Sequence, residues 1–594
     1  MIPEKIAPSL LVTLRDYQDE GRLGLLRHTR NIGLAAAIGK PKPPRTVVFL
    51  LCDEQAELEN LSQYGIRVNQ PAGRVRTAFL PLESLDPLSE EPAVERIIPS
   101  RYLHLRMDVA PGKVNLPEFK NKTGLTGKNV IIGVVDTGID PKHPAFQGRI
   151  LRIWDQTLPG PGVQEGDYGA EFTGEQLTIS RDTIGHGTHV AGIAAGADET
   201  YSGVAPEAQL LIVNSDLQDA HIADAIRYIF RVANELDCPA VVNLSLGGHF
   251  DAHDGSDPLS QIIDAESGPG RIVCCAAGNE GNDNIHAQTT VSRGMRTLRF
   301  RVPDNAIGFA LLNGWYPGDN SFEVSIRTPG GFVTPFQGVI SNGNPAQEYA
   351  LADARIQIVT PGPDPTNGDH NFFVQLLGAG GGRVRGGVWQ LRVRNSNNTS
   401  TTEGRLDVWT LDDQSAVFFT GTSVQDSVKI GSPGAAASAV TVASYTTKVQ
   451  WTDIDGIVRE VGLELDNISD FSSEGPLRNG DQKPDVAAPG AMIASALSAD
   501  STASRAEMVN LKYVVNAGTS MATPFLAGIV ALLLERDPQL TPDSVKALLR
   551  NSSLIPGQPV GTFDKKWGFG LIDAAKLADS LEEPIDASPD SCSG

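Results

Sequence analysis

Lys128-Asn-Val-Ile-Ile-Gly-Val-Val-Asp136, followed by the turn residues Thr137 and Gly138, is the stretch that decides the fold. An apolar run this continuous, closed by a carboxylate, predicts a strand buried on both faces, as in a parallel sheet. Asp136 then stands at the strand's C-terminal end, the edge at which open α/β sheets bind ligands. Three further runs of the same kind follow, at Gln209–Val213, Ala240–Leu246 and Arg271–Ala277, with helix-like segments such as Ile222–Glu235 between them. The alternation predicts an α/β fold built on a doubly wound, mostly parallel sheet.

Outward from that core, 594 residues exceed one ordinary domain. Ser9–Arg30 carries Leu10, Leu11, Leu14, Tyr17, Leu25 and Leu26 and predicts one or two short helices in an arm over 1–44, closed by Gly39-Lys-Pro-Lys-Pro-Pro44, which is too proline-rich to continue a helix. Residues 45–110 read as a small α+β domain. Its strands are Thr46–Cys52, Ile66–Val68, Val75–Leu80 and Val94–Leu105; one helix is capped by Asp53 and carries Leu58, Leu61 and Tyr64, and a second covers Leu82–Leu88. That order is ferredoxin-like. The α/β pattern fills 118–289 and returns over 427–580. In 290–426 the period changes to alternation, as in Phe322-Val324-Ile326 and Trp389-Leu391-Val393, which predicts an inserted all-β domain, a sandwich or jelly roll. A polar tail covers 581–594.

A net charge of −22 with no Lys/Arg-rich run argues against nucleic acid as a partner. No run of about 20 apolar residues predicts a membrane span, and the N-terminus has no secretory apolar region. The default expectation is a cytoplasmic protein, with unconventional export as the alternative. The five cysteines lack zinc-ligand spacing and read as thiols; Cys274 and Cys275 would point to opposite faces of one strand.

Asn516-Ala-Gly-Thr-Ser-Met-Ala-Thr-Pro-Phe-Leu-Ala-Gly528 sets Ser520 between a small-residue turn and a helix that carries Phe525, Ile529, Leu532 and Leu533 at helical spacing. The helix is expected to start just after Ser520, with Pro524 in its first turn, where a missing N–H removes no bond. Alone, such a serine is an N-cap. It is not alone: Val135-Asp136-Thr137-Gly138, Gly185-His186-Gly187-Thr188-His189 and Gly518-Thr519-Ser520-Met521-Ala522, in that order, resemble the subtilisin-like serine proteases, or subtilases. Val242–Gly248 is similar to that family's substrate-lining strand, Ala276–Gly281 to its oxyanion segment, and Phe471–Pro476 with Lys483–Gly490 to the approach to the serine.

The resemblance, over about 120–290 and 430–580, implies a serine endopeptidase. Ser520 would be the nucleophile, His186 the base near neutrality that a serine needs, and Asp136 the group that orients the imidazole. It assigns Asn279 as the side-chain donor to the oxyanion and Ser245, Leu246, Gly247, Ala277 and Gly278 to substrate binding by strand addition. Residues 45–110 resemble the family's inhibitor propeptide, implying a self-processing zymogen cleaved between Arg101 and Leu116, with its own N-terminal domain as intramolecular inhibitor. The insertion is similar in place and character to the jelly roll of clostridial spore-germination subtilases. The partner expected is a protein or peptide substrate. No cofactor and no metal are expected: Asp251–Asp257 offers oxygen ligands without EF-hand spacing and reads as a solvated loop, and the turn Gly196–Gly203 leaves little room for a calcium loop. His189 reads as a packed structural histidine and Asp182 as a loop acid. The alternatives are a silent scaffold that binds peptides or proteins, and acyl transfer to an amine.

Overall fold

The computed structural model describes residues 1–6, 8–21, 34–35, 43–68, 73–99, 109–198, 201–304, 309–341, 344–396, 403–411 and 417–582. Most of the proline-rich linker, the second half of Ser9–Arg30, the segment 100–108 and the tail beyond 582 lie outside them. Two compact units divide the chain, Met1–Leu105 and Arg106–Gly594.

In the first unit the helix Pro8–Glu20 buries Leu10 and Leu14 in a core shared with Val48, Leu50, Leu80 and Ile97. Strands Val94–Pro99, Arg45–Cys52, Val75–Pro81 and Arg67–Val68 lie side by side, all antiparallel, in the ferredoxin-like order. The helix expected from Asp53 is different. A turn occupies its start, and only Glu59–Tyr64 coils, as a 3-10 helix without a side-chain cap. The cause is Arg76, 1% exposed, whose guanidinium donates to the carbonyls of Asp53, Glu54, Ala56 and Gly73 and holds the turn against helix formation.

The second unit is built on a ten-stranded sheet. Its central strands, from Val486–Ala491 through Val440–Thr446, Arg271–Ala276, Ala240–Leu244, Ile131–Asp136 and Gln209–Asn214 to Ile150–Asp155, are all parallel; Ala170–Phe172 and Ser553–Leu554 close the two ends as antiparallel strands. Period-two alternation sends Ile132, Val134 and Cys274 to one face, against the helices His186–Ala195 and Thr519–Arg536. Ile131, Val135 and Cys275 go to the other, against Asp219–Glu235 and Pro258–Glu266. Thr519–Arg536, long and apolar enough to cross a membrane, is instead the buried central helix of this unit.

The alternating region is a two-sheet β sandwich with its own core of Phe300, Trp389, Leu391, Phe372 and Val374. Six strands from His286–Val291 to Gly404–Thr410 make one sheet, and four, including Met295–Val302 and Gly387–Asn395, make the other. The first strand starts at His286, a few residues before the expected boundary. Arg478 fastens the sandwich to the α/β core: with 8% of its side chain exposed, it reaches Asp254 in the core and Asp369 in the sandwich, and its guanidinium lies 5.8 Å from the Trp315 ring centroid. Asn367 adds bonds to Asp254 and Ser256. Removing one partner of a buried ion pair leaves an uncompensated charge, at a cost of about 3–5 kcal/mol. Arg478→Ala is therefore expected to lower the thermal unfolding midpoint clearly, and calorimetry giving the wild-type midpoint would contradict that role.

Candidate active site

Asp136 ends its strand with 3% of its side chain exposed, and its Oδ1 accepts the Thr137 N–H at 2.7 Å and the His186 Nδ1–H at 2.8 Å. His186 is the first residue of its helix, entered through Gly185 at φ 92°. The helix can start this close to the strand end because Gly187 has no side chain: a Cβ there would sit 2.2 Å from the Gly138 carbonyl oxygen. Asp182, fully buried, ties the same corner. It accepts from the Thr137 hydroxyl at 2.9 Å and the Gly185 N–H at 2.7 Å with one oxygen, and from the N–H and hydroxyl of Thr188 with the other.

Burial disfavours the charged form of His186, but the Asp136 carboxylate, by its charge and its hydrogen bond, outweighs that, and Asp182 adds to it. The pKa is raised above the ordinary histidine value. His189, one turn on, is fully buried with its Nε2 near the carbonyls of Ile493 and Val514 at 3.1 and 3.2 Å, and burial drives its pKa down to about 3. It stays neutral and packed.

Ser520 is the second residue of its helix, not the residue before it, so Pro524 falls in the second turn. There the missing N–H leaves the Ser520 carbonyl without its intrahelical donor. The Ser245 hydroxyl supplies one at 2.9 Å, and the Ser520 Oγ donates in return to the Ser245 carbonyl at 3.2 Å. Ser520 and His186 line one hollow without a hydrogen bond between them. Asn279 accepts the Thr519 N–H at 2.8 Å and its hydroxyl at 3.0 Å through Oδ1, which turns the amide Nδ2 toward open space beside Ser520.

Ser520 and Asn279 border two hollows at once. One, of about 720 Å³, also takes in His186, Met492, Met521 and Trp451. The other, of about 250 Å³, is walled by Ser245, Leu246, Gly247, Ala277 and Gly278. Sheet pairing of the strand expected over Ala240–Leu246 stops at Leu244, two residues short, so Ser245–Gly247 leaves backbone groups unpaired by the sheet. The acids of the Asp251–Asp257 loop are taken by local donors: Asp251 by the Ser432 and His253 N–H groups, Asp257 by the Ser260 N–H and the Ser432 hydroxyl.

The subtilase family model matches residues 127–371 and 351–570. This chain belongs to the subtilase family. Serine protease AprX of Bacillus subtilis is 26% identical to it over 484 residues, 78% of this chain and 71% of that protein. The major intracellular serine protease of the same bacterium is 36% identical over 177 residues, 28% of this chain and 48% of the relative. The PII-type proteinase of Lactococcus lactis subsp. cremoris is 25% identical over 629 residues, but the chain spans only 30% of that proteinase's length. The CspB protease of Clostridium perfringens shares the fold, with a TM-score of 0.66 and 24% identity over 80% of this chain and 97% of that one.

Sequence reasoning missed two parts of this subtilase's site. Asp182 is a loop acid, as the sequence reads it, but nothing in its local sequence signals that a distant turn converges on it. The hairpin Gln450–Thr452/Val458–Glu460, which brings Trp451, Arg459 and Glu460 to the larger hollow, did leave a signal in Asp453-Ile-Asp-Gly456. There Asp453 accepts the Asp455 and Ile457 N–H groups and Gly456 takes φ 77°.

Because Asp136 is the group that raises the His186 pKa, histidine-detected NMR should find this ring titrating above the ordinary value of about 6.5. In Asp136→Asn, burial is left unopposed by that charge and the ring should titrate below it. Equal values in the two proteins would refute the electrostatic account.

Proposed function

We propose that this subtilase is a serine endopeptidase working through an acyl-enzyme on Ser520. The observation that carries the reading is the 2.8 Å Asp136–His186 pair, set beside the Ser520 hydroxyl and the inward-turned Asn279 amide where two hollows meet. Substrate backbone pairs along Ser245–Gly247. Its scissile carbonyl lies between Ser520 Oγ and Asn279 Nδ2. Displaced from the Ser245 carbonyl, the Ser520 hydroxyl turns to His186 Nε2, which takes its proton as Oγ attacks the carbonyl carbon. Asp136 keeps the ring's other N–H aimed and stabilises the imidazolium, as the raised pKa of His186 supports. Asn279 Nδ2–H and the Ser520 N–H at the helix N-terminus receive the oxyanion. The imidazolium then protonates the leaving amine. Water, deprotonated by His186, cleaves the ester and restores Ser520.

The ferredoxin-like unit is read as the intramolecular inhibitor of a zymogen, by its element order. Cleavage between Arg101 and Leu116 by the chain's own Ser520 is expected.

An organophosphorus serine probe should label Ser520 and block hydrolysis of a protein substrate. Ser520→Ala should abolish both, and Asn279→Ala should lower kcat by roughly 10²–10³, the size known for subtilisin's own asparagine. Unlabelled, inactive wild type would favour the scaffold. N-terminal sequencing adds the zymogen test: wild type should begin within 101–116 and Ser520→Ala at residue 1, and an intact start in active wild type would refute self-processing.

A further inference from the structure

The sandwich has two outer faces, and one of them is unlike the rest of this acidic chain. The six-stranded sheet turns its outer face to the α/β core, which it meets through Asn313 and Trp409. The four-stranded sheet therefore turns its own outer face away from that core. Its strands lie in the order Phe322–Arg327, Gly387–Asn395, Met295–Val302 and Phe418–Thr420. Leu298, Phe300, Leu391, Val393, Val324 and Ile326 point into the sandwich, so period-two alternation sends Arg299, Arg301, Arg392, Arg394 and Arg327 outward.

Antiparallel pairing sets Arg301 opposite Val388, Arg299 opposite Gln390, Thr297 opposite Arg392 and Met295 opposite Arg394. Arg301, Arg299, Arg392 and Arg394 thus follow one another along the sheet at steps of two residues, about 7 Å each. Arg327, opposite Gln390 on the next strand, widens the row. Phe336 lies between two of these side chains: its ring centroid is 5.1 Å from the Arg392 guanidinium and 4.0 Å from that of Arg394, which steadies both. Glu323 is the one acid among the described residues of the four strands, and Arg394 binds it at 2.6 Å. Arg299, Arg301 and Arg327 are exposed and make no ion pair or hydrogen bond among the described residues. Five guanidiniums against one carboxylate leave this face strongly positive on a chain of net charge −22. Apolar groups are interleaved with them. Met295 and Val388 stand on the same face, and Phe332 and Val333 at its edge beside Arg327, each between 39% and 45% exposed.

The charge calls for an anionic partner, and the rest of the face selects among such partners. Gly387–Asn395 and Met295–Val302 are the inner strands of their sheet, so they offer no free backbone edge for an extended acidic peptide to join. Single-stranded nucleic acid is held by aromatic platforms between its phosphate contacts; here Met295 and Val388 fill the places between arginines, and the Phe336 ring is covered by two of them. A layer of anionic headgroups needs neither an edge nor a stacking platform. Against it the arginines meet phosphates, while Met295, Val388, Phe332 and Val333 enter the boundary between headgroups and acyl chains. The negative charge elsewhere on the chain does not cancel this, because at physiological ionic strength exposed charges more than about 8 Å away are largely screened.

We propose that the outer face of the four-stranded sheet docks the chain on an anionic lipid bilayer. The inference stands apart from the peptidase reading and does not depend on Ser520. Its test sediments the full-length protein with vesicles of phosphatidylcholine alone and of phosphatidylcholine mixed with phosphatidylglycerol. The protein should bind the mixed vesicles, leave them as salt is raised, and ignore phosphatidylcholine alone. Arg299→Ser with Arg301→Ser should weaken that partition about thirtyfold, the effect of two surface charges, while the thermal midpoint stays at the wild-type value. Arg355→Ser with Arg505→Ser removes the same charge from exposed positions off this face, and should bind as wild type does. No binding to the mixed vesicles overturns the proposal, and binding of polyglutamate or a single-stranded oligonucleotide in their place would assign the face to that partner instead. Equal losses in the two double variants overturn it as well, since net charge alone would then account for the binding.

Discussion

A carboxylate as buried as Asp136 keeps its charge only where hydrogen-bond donors are brought to it, and that requirement shapes the whole corner of the sheet. Its donors are the N–H of the next residue and the His186 ring. Bringing the ring to 2.8 Å means starting a helix against the turn that ends the strand, and the missing side chain of Gly187 makes that approach possible. Asp182, equally buried, then spends its two oxygens on Thr137, Gly185 and Thr188, so strand end, turn and helix start become one hydrogen-bonded block. The Ser520 helix packs against the His186 helix on the same face of the sheet. Its register is set by the Ser245 hydroxyl, which replaces the donor lost at Pro524.

The sandwich enters this framework without disturbing it. Arg271–Ala276 and Val440–Thr446 pair in parallel although the whole insertion lies between them in the chain. Loop-closure entropy grows slowly with length, and here it is offset by a core that the insertion builds for itself. Several of the contacts it returns to the α/β unit fall on the loop after Gly248: Asn313 donates to the His249 and Asp251 carbonyls, Trp409 covers His253, and Arg478 joins Asp254 to Asp369. An insertion attached at that loop is attached to a wall of the smaller hollow.

The α/β architecture was legible because its strands are buried on both faces and read as uninterrupted apolar runs, and the sandwich because its strands alternate. Asp136, His186, Asn279 and Ser520 stand in short motifs whose glycines answer to local backbone needs. What the sequence hid depends on partners far away in the chain. Asp53 has the composition of a helix cap, and only the folded unit reveals Arg76 drawing the next carbonyls into a turn. Pro524 looked harmless in a first turn; in the second it needs Ser245. The line of contacts from Glu280 through His249 and His253 to Trp409 joins the loop after Arg271–Ala276, the loop after Ala240–Leu244 and the sandwich, and no spacing rule connects them.

A peptide-binding scaffold on this fold would be under no pressure to hold such a corner together. Buried ion pairs can often be replaced by packed apolar residues with no loss, or with a gain of about 1–4 kcal/mol, so stability does not call for the Asp136–His186 pair. Strand addition along Ser245–Gly247 would need the backbone and the walls of the hollows, and neither an imidazole held by a carboxylate nor an amide turned inward by Thr519. The groups that cost the most to bury are the ones that bind least. Asp136, His186 and the Asn279 amide nonetheless stand around the hollows that Ser520 borders.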